Sequence, residues 1–379
     1  MSTLSHILRH GRPAAMAAST LARAAFASAA FASAAFAIVT FVSAAFLIVA
    51  LANVAPVNVT AAQAQPSPLR LSLDWRLEGP TAMFLVAQDR GYFREEGLDV
   101  AVDEGATPLD PVNRVASGSH DFGFADINAL IKYRDQHPNA PIKAVFMVYN
   151  KPPYAIVSRK SRGVNEPKQL EGKKLGIPSN GNNLGEWPLF AKLNDIDASK
   201  VAIEQIGIPV RVPMLAAGQI DATLGPSFRV YVDLKDRGVP VDDIVLLPMA
   251  NYGVQLYGHA IIVNSKYAAD RPEAVSAFLR ASLHGLRDAI RNPGSAVDTL
   301  LKRDEGLKKE VEVERLRMAI RDNLVTPEVR ANGFGPVDNA RLEEAISQLA
   351  TTYTFKTRPK AEAVFDPSFL APLADRRAN

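Results

Sequence analysis

The amino-acid sequence predicts an α/β protein with two sheet-bearing units, each flanked by helices. Short β-branched or apolar runs alternate with helix-period runs from Leu69 to Val263, the pattern of strand–helix units packed in layers. The alternation starts afresh at Gln169. At 379 residues the chain has room for about two domains of roughly 100–200 residues each.

Taken in order, Leu69–Trp75 reads as a strand. Thr81–Glu96 reads as a helix with Leu85, Val86 and Phe93 on one face, Pro80 suiting its first turn and Gly97 ending it. A strand at Leu98–Val102, a helix at Pro108–Ser117 and a strand at Phe122–Phe124 follow. Ile127–Gln136 is a helix that Asp126 can cap. Ile142–Tyr149 and Tyr154–Ser158 read as strands. The second unit brings strands at Lys174–Ile177, Val201–Ile206, Ala222–Leu224 and Ile244–Met249, with helices at Leu184–Leu193, Val212–Ala217 and Tyr231–Asp236. A strand at Gly258–Val263 comes next. Helices then dominate: Pro272–Arg291, Ser295–Leu301, Val311–Leu324 and Asn339–Leu349. The alternation argues for parallel sheets. The last ~25 residues, rich in Lys, Arg and Pro, read as a surface tail.

Composition removes several functions. A formal charge of +3 gives no support for a nucleic-acid partner. The chain has no cysteine, which excludes disulfides, thiolate metal sites and a cysteine nucleophile. No GxGxxG or GxxxxGK[ST] motif is present, so dinucleotide and P-loop chemistry lose support. The six histidines form no HExxH or paired metal spacing, and no GxSxG elbow occurs. No metal or cofactor is expected. Arg9, Arg12 and Arg23 precede an uncharged small and apolar run over 24–57, and Ala62 and Ala64 follow it. Residues 1–64 therefore read as a secretory signal cut after Ala64. The run is also long enough to span a bilayer, which takes roughly 20 apolar residues, so an uncleaved anchor is the alternative. Either way the rest of the chain is expected in the periplasm.

Several motifs in one order carry a resemblance. LRLSLDW opens the chain after the leader, and FLVAQDRGYFREEGLDV spans Phe84–Val100. VNRVASGSHDFGFADI (Val112–Ile127), EPKQLEGKKLGIP (Glu166–Pro178) and AAGQIDATLGP (Ala216–Pro226) follow. Over residues 68–350 the sequence resembles the periplasmic solute-binding proteins of ABC importers for nitrate, sulfonates, taurine and thiamine-pyrimidine precursors. The resemblance implies a two-lobed, periplasmic-binding-protein-like (type II) α/β fold. Two hinge crossings would lie near Tyr154–Arg162 and Gly253–Ile262. Lobe one would be 66–158 plus 259–379, and lobe two 159–258. It implies a monomer that captures a small organic anion or (hetero)aromatic solute and delivers it to a membrane permease. A same-fold enzyme of thiamine-pyrimidine or menaquinone biosynthesis, or a ligand-sensing module, is the alternative.

In open α/β sheets ligands bind beyond the carboxyl ends of the strands. That rule selects Asp74, Trp75, Arg76 and Glu78 after the first strand. Trp75 suits stacking on a planar ligand, or else packs inward; Glu78 suits the ligand or a turn cap. SNGNNLGEW offers Asn180, Asn182 and Asn183 ahead of a helix, as a polar-group site or a plain cap, and Trp187 as a second wall or core residue. GPSFR offers Ser227, Phe228 and Arg229, the last able to hold an anion bidentately or to sit on a surface. Asp126 and Tyr252 complete the set, Asp126 with helix capping as its simpler role. The turn DWRLEGPT departs from the DWxPNxxH form of the pyrimidine-precursor branch, which leaves the ligand class open.

Overall fold

Among the residues that the computed structural model describes, 68–178 and 186–378, ten strands form two five-stranded sheets. In chain order the strands are β1 (Leu69–Ser72), β2 (Val100–Asp103), β3 (Phe122–Asp126), β4 (Ile142–Met147), β5 (Tyr154–Arg159), β6 (Lys174–Pro178), β7 (Ala202–Ile206), β8 (Ala222–Pro226), β9 (Ile244–Pro248) and β10 (His259–Asn264). The sheets run β2-β1-β3-β10-β4 in the first lobe and β7-β6-β8-β5-β9 in the second.

The sheets are mixed rather than parallel throughout. β1 pairs in parallel with β2 and β3, as β6 does with β7 and β8. β10 runs antiparallel between β3 and β4, and β5 antiparallel between β8 and β9. Both strands enter their sheet from the other lobe, at the end where their neighbours finish, and so run against them. β5 therefore belongs to the second sheet, although the sequence reading put residues up to 158 in the first lobe. The first crossing lies earlier, around Lys151–Pro153, where two successive prolines cannot donate to a ladder. The second lies between β9 and β10.

The helices are α1 (Ala82–Asp89), α2 (Tyr92–Glu95), α3 (Asp110–Ser117), α4 (Ile127–Gln136), α5 (Glu186–Leu193), α6 (Ile208–Ala216), α7 (Ser227–Asp236), α8 (Ser265–Asp270), α9 (Pro272–Arg291), α10 (Pro293–Leu301), α11 (Lys309–Ala319), α12 (Pro327–Asn332), α13 (Asn339–Ala350) and α14 (Ala361–Val364). The helix expected over Thr81–Glu96 is broken in two, because Gly91 takes a left-handed φ of 83°. α1 is buried almost throughout, from Ala82 to Ala87, against the long α9. The two helices touch backbone to side at Gly285: a Cβ there would stand 2.1 Å from the Met83 carbonyl oxygen. α7 begins at Ser227, four residues ahead of its expected start, and so carries Arg229 in its first turn.

The C-terminal segment is not a loose tail. Ala361, Val364 and Phe365 are buried, Phe365 bridges to Ala144 of β4, and Arg376 O accepts from Phe334 N. A few apolar residues within a basic, proline-bearing stretch suffice to hold it. Among the described residues no helix is long and apolar enough to cross a membrane.

Candidate functional site

The carboxyl ends of β1 and β3 and the start of β10 meet at one edge of the first sheet. Register places His259 opposite Asp126. Just past β1 the chain turns at Asp74-Trp75, and His259 Nε2 lies 3.0 Å from Asp74 Oδ2. The turn is held from behind: Gly105 N donates to Trp75 O at 3.2 Å, and Glu104 Oε1 accepts from Leu77 N at 2.6 Å. His259 rests in an aromatic bed, 5.0 Å from the Phe124 ring and 5.2 Å from Tyr149.

The second lobe adds Tyr154 at the start of β5, Glu186 at the start of α5, and Arg229. At this cluster three polar contacts among the described residues join the lobes. Arg229 forks onto Glu78, Nε to Oε2 at 2.9 Å and Nη2 to Oε1 at 2.5 Å, while its guanidinium sits 5.6 Å from the Trp75 ring centre. The Tyr154 hydroxyl donates to Asp126. Lys132 Nζ lies 3.3 Å from Glu186 Oε1. Asp126 Oδ1 also accepts from Asn128 N at 2.7 Å and Asn128 Nδ2 at 2.8 Å, so it caps α4 while facing the cluster. Glu78 N donates to Thr81 Oγ1, which fixes the turn and leaves the carboxylate for Arg229.

Burial and charge pull these groups in different directions. Burial raises the carboxyls of Asp126 and Glu186; Lys132 partly offsets this for Glu186, and Asp126 adds to it. Burial would also raise Asp74, but His259 and then Arg229 outweigh it and hold Asp74 low. Burial alone would lower His259, yet Asp74 and Asp126 raise it. A histidine raised above its ordinary 6.5 stabilises the fold fully below that value and loses the contribution as pH climbs through the raised one. His259→Gln is therefore expected to make the melting temperature fall less, or rise more, than in the wild type as pH climbs from 6.5. Identical pH profiles for the variant and the wild type would show that the pair contributes no pH-dependent stability.

Three polar atoms of this cluster are buried with no hydrogen-bond partner among the described residues: Asn128 Oδ1, Glu186 Oε2 and His259 Nδ1. An orphaned buried polar atom costs about 1–3 kcal/mol, so three in one cluster mark a place shaped to meet polar groups from elsewhere. Among the described residues no group of three His, Asp or Glu side chains is arranged to hold a metal ion.

The structure brings Asp74, Trp75, Glu78 and Asp126 together. Arg76 is exposed beside them. Ser227 and Phe228 are buried at the start of α7, Phe228 edge-on to Tyr149. Trp187 is only 4% exposed and packs into the apolar core with Phe190; Tyr252 meets the other side of that ring. These two are core-facing rather than part of the cluster, because α5 turns its apolar side inward. Asn180, Asn182 and Asn183 lie outside the described residues. Sequence reasoning missed His259, Glu186, Asn128 and Lys132. A lone polar residue opening the apolar strand HAIIVN was the available signal for His259, but its neighbours follow only from the register.

Comparison with known proteins adds a lineage. The family model described as NMT1/THI5 like matches residues 80–296. A formylaminopyrimidine-binding protein of Halalkalibacterium halodurans is 28% identical over 288 residues, 74% of this chain and 84% of that one. The riboflavin-binding protein RibY of Chloroflexus aurantiacus is 26% identical over 249 residues, 64% of this chain and 68% of its own. Among solved structures, the periplasmic aliphatic sulphonate binding protein SsuA from Escherichia coli superposes with a TM-score of 0.62 at 14% identity, covering 78% of this chain and 95% of that one.

Proposed function

The chain belongs to the NMT1/THI5-like family, and from that premise we propose that it is the solute-binding component of an ABC importer, taking a planar nitrogen heterocycle between its lobes. One observation carries the choice of ligand. Three carboxyl groups belong to one cluster, Asp74 and Asp126 beside His259 and Glu186 beside Asp126 and Lys132, while the guanidinium at its edge is committed to Glu78. Carboxyl groups accept hydrogen bonds, so they suit a ring bearing amino or ring N–H donors better than a nitrate or sulfonate, which brings acceptors alone. Trp75 offers such a ring a stacking face at the mouth. The names of two relatives, a formylaminopyrimidine binder and a riboflavin binder, support a flat nitrogen heterocycle.

Capture and delivery follow from the two-lobed build. The lobes close over the solute, the three interlobe contacts stabilise the closed form, and a membrane permease receives it. Only a ligand that binds the closed form better than the open one shifts that balance. The leader-like residues 1–64 support a periplasmic location, and the monomer is the state in which the cleft is free to open.

A thermal-shift series tests the reading, since a ligand that binds only the native state raises its melting temperature. Aminopyrimidines are expected to raise it, and Trp75→Ala to weaken their binding by roughly tenfold with the fold intact. A rise with nitrate or alkanesulfonates alone would reverse the ligand class. Chemical conversion of a bound pyrimidine would move the chain to the same-fold synthases.

A further inference from the structure

Beside the cluster a cavity of ≈170 Å³ opens between the Trp75 turn and helices α6 and α7. Trp75, Arg76, Arg211, Arg229, Asp233 and Arg237 line it, four guanidiniums against one carboxylate. Two of these charges are already satisfied: Arg229 holds Glu78, and Asp233 pairs with Arg315.

Arg211 is the anomaly. It is 2% exposed, and its one hydrogen bond among the described residues runs from Nη1 to Leu224 O at 3.2 Å. Its Nε is buried with no hydrogen-bond partner among the described residues, and the carboxylates that act on it through space, Asp233 and Glu78, are committed to Arg315 and Arg229. The backbone makes room for this arrangement. A Cβ at Gly225 would stand 2.6 Å from Arg211 Nη1, so the guanidinium occupies the space a side chain on β8 would fill. Burial and the neighbouring Arg229 pull its pKa down to about 10, still charged at neutral pH. A buried charge with no ion pair of its own is costly, and here the cost sits in the wall of a cavity.

We propose that Arg211 is the centre of an anion subsite that receives a carboxylate or phosphate group carried by the ligand. The cavity falls below the roughly 300–1,000 Å³ of a whole-ligand site, which fits one charged group and not a complete solute. Arginine's planar fork matches both anions bidentately. Trp75 and Arg229 border the cavity and also belong to the central cluster, so one molecule can stack at Trp75 and extend an acidic arm to Arg211. That the anion belongs to the cleft ligand rests on the reading above; the subsite itself rests on Arg211.

The test uses the intact protein with no heterocycle present, so its failure leaves the heterocycle reading untouched. Inorganic phosphate and acetate are titrated separately, with chloride at matched ionic strength as the blank, while melting temperature and heat are followed. At least one anion is expected to stabilise the protein beyond chloride, the stronger of the two identifying the acidic group as phosphate or carboxylate. Arg211→Met is expected to lower that affinity at least tenfold without lowering the unliganded melting temperature, because it no longer buries a charge. Should Arg211→Met not fold, Arg211→Gln makes the same comparison. Stabilisation that chloride matches, or that either folded variant retains in full, overturns the subsite.

Discussion

Replacing Arg229 by methionine is expected to open the cleft and to lower affinity for the cleft ligand by about a hundredfold. Glu78 and Arg229 are nearly buried, with side chains 8% and 14% exposed, and they belong to different lobes. Removing one member of a buried pair costs about 3–5 kcal/mol, because the other charge stays behind. Here the penalty has an escape: opening the lobes rehydrates Glu78. The cost therefore falls on closure rather than on folding, and each 1.4 kcal/mol of it is about tenfold in affinity. Other ion pairs also join α7 to α11 and the turn before it. Lys235–Glu314 and Lys308–Asp236 are partly exposed, which makes each worth roughly 0–1 kcal/mol, and the partly buried Arg315–Asp233 pair leaves Glu78 without a partner. Small-angle scattering should report a larger radius for the variant, and calorimetry the weaker binding. Adding Glu78→Gln should recover part of the loss, since no buried charge then remains. Unchanged size and affinity in the single variant would deny the pair its role in closure.

Gly285→Ala is expected to destabilise the first lobe by on the order of 3 kcal/mol, the upper range for overpacking a tight site. The sign is what makes the substitution informative. Gly285 lies inside α9, where helix propensity alone would favour alanine by about 1 kcal/mol. Packing says the opposite, because the new methyl would meet the Met83 carbonyl at 2.1 Å and Ala87 at 3.0 Å. α1 and α9 would have to move apart, and α1 stands immediately behind the turn that presents Trp75 and Glu78. A denaturant melt should show a lower midpoint, and an increase in stability would mean that the two helices approach less closely than described.

Much of the fold was legible in the sequence because it is local. Ile127–Gln136 and Pro272–Arg291 have a proline or a capping carboxylate at one end and a long apolar stripe, and their bounds coincide with the observed helices. The strand positions were legible for a similar reason, as short apolar runs between glycines and prolines. Strand direction was not: nothing within Tyr154–Arg159 or His259–Asn264 records that each enters a sheet from the far lobe. The site divides along the same line. Asp74, Trp75, Glu78 and Asp126 follow their strands directly, so a positional rule finds them. His259 reaches Asp74 across 185 residues and Arg229 reaches Glu78 across 151, and separations of that kind appear only once the sheets are assembled.

The antiparallel insertion of β10 also bears on how the chain acquires its shape during synthesis. All five strands of the second sheet lie between Tyr154 and Pro248, an uninterrupted stretch. The first sheet begins at Leu69 but lacks its fourth member, between β3 and β4, until residues 259–264 have been made. Domains usually mature in order from the amino terminus. In this topology the later-made lobe can close its sheet first, while the earlier-made one waits with β3 and β4 unjoined and their ladder groups open to other chains. Between the making of Met147 and of His259, β3 and β4 therefore lack the strand that joins them.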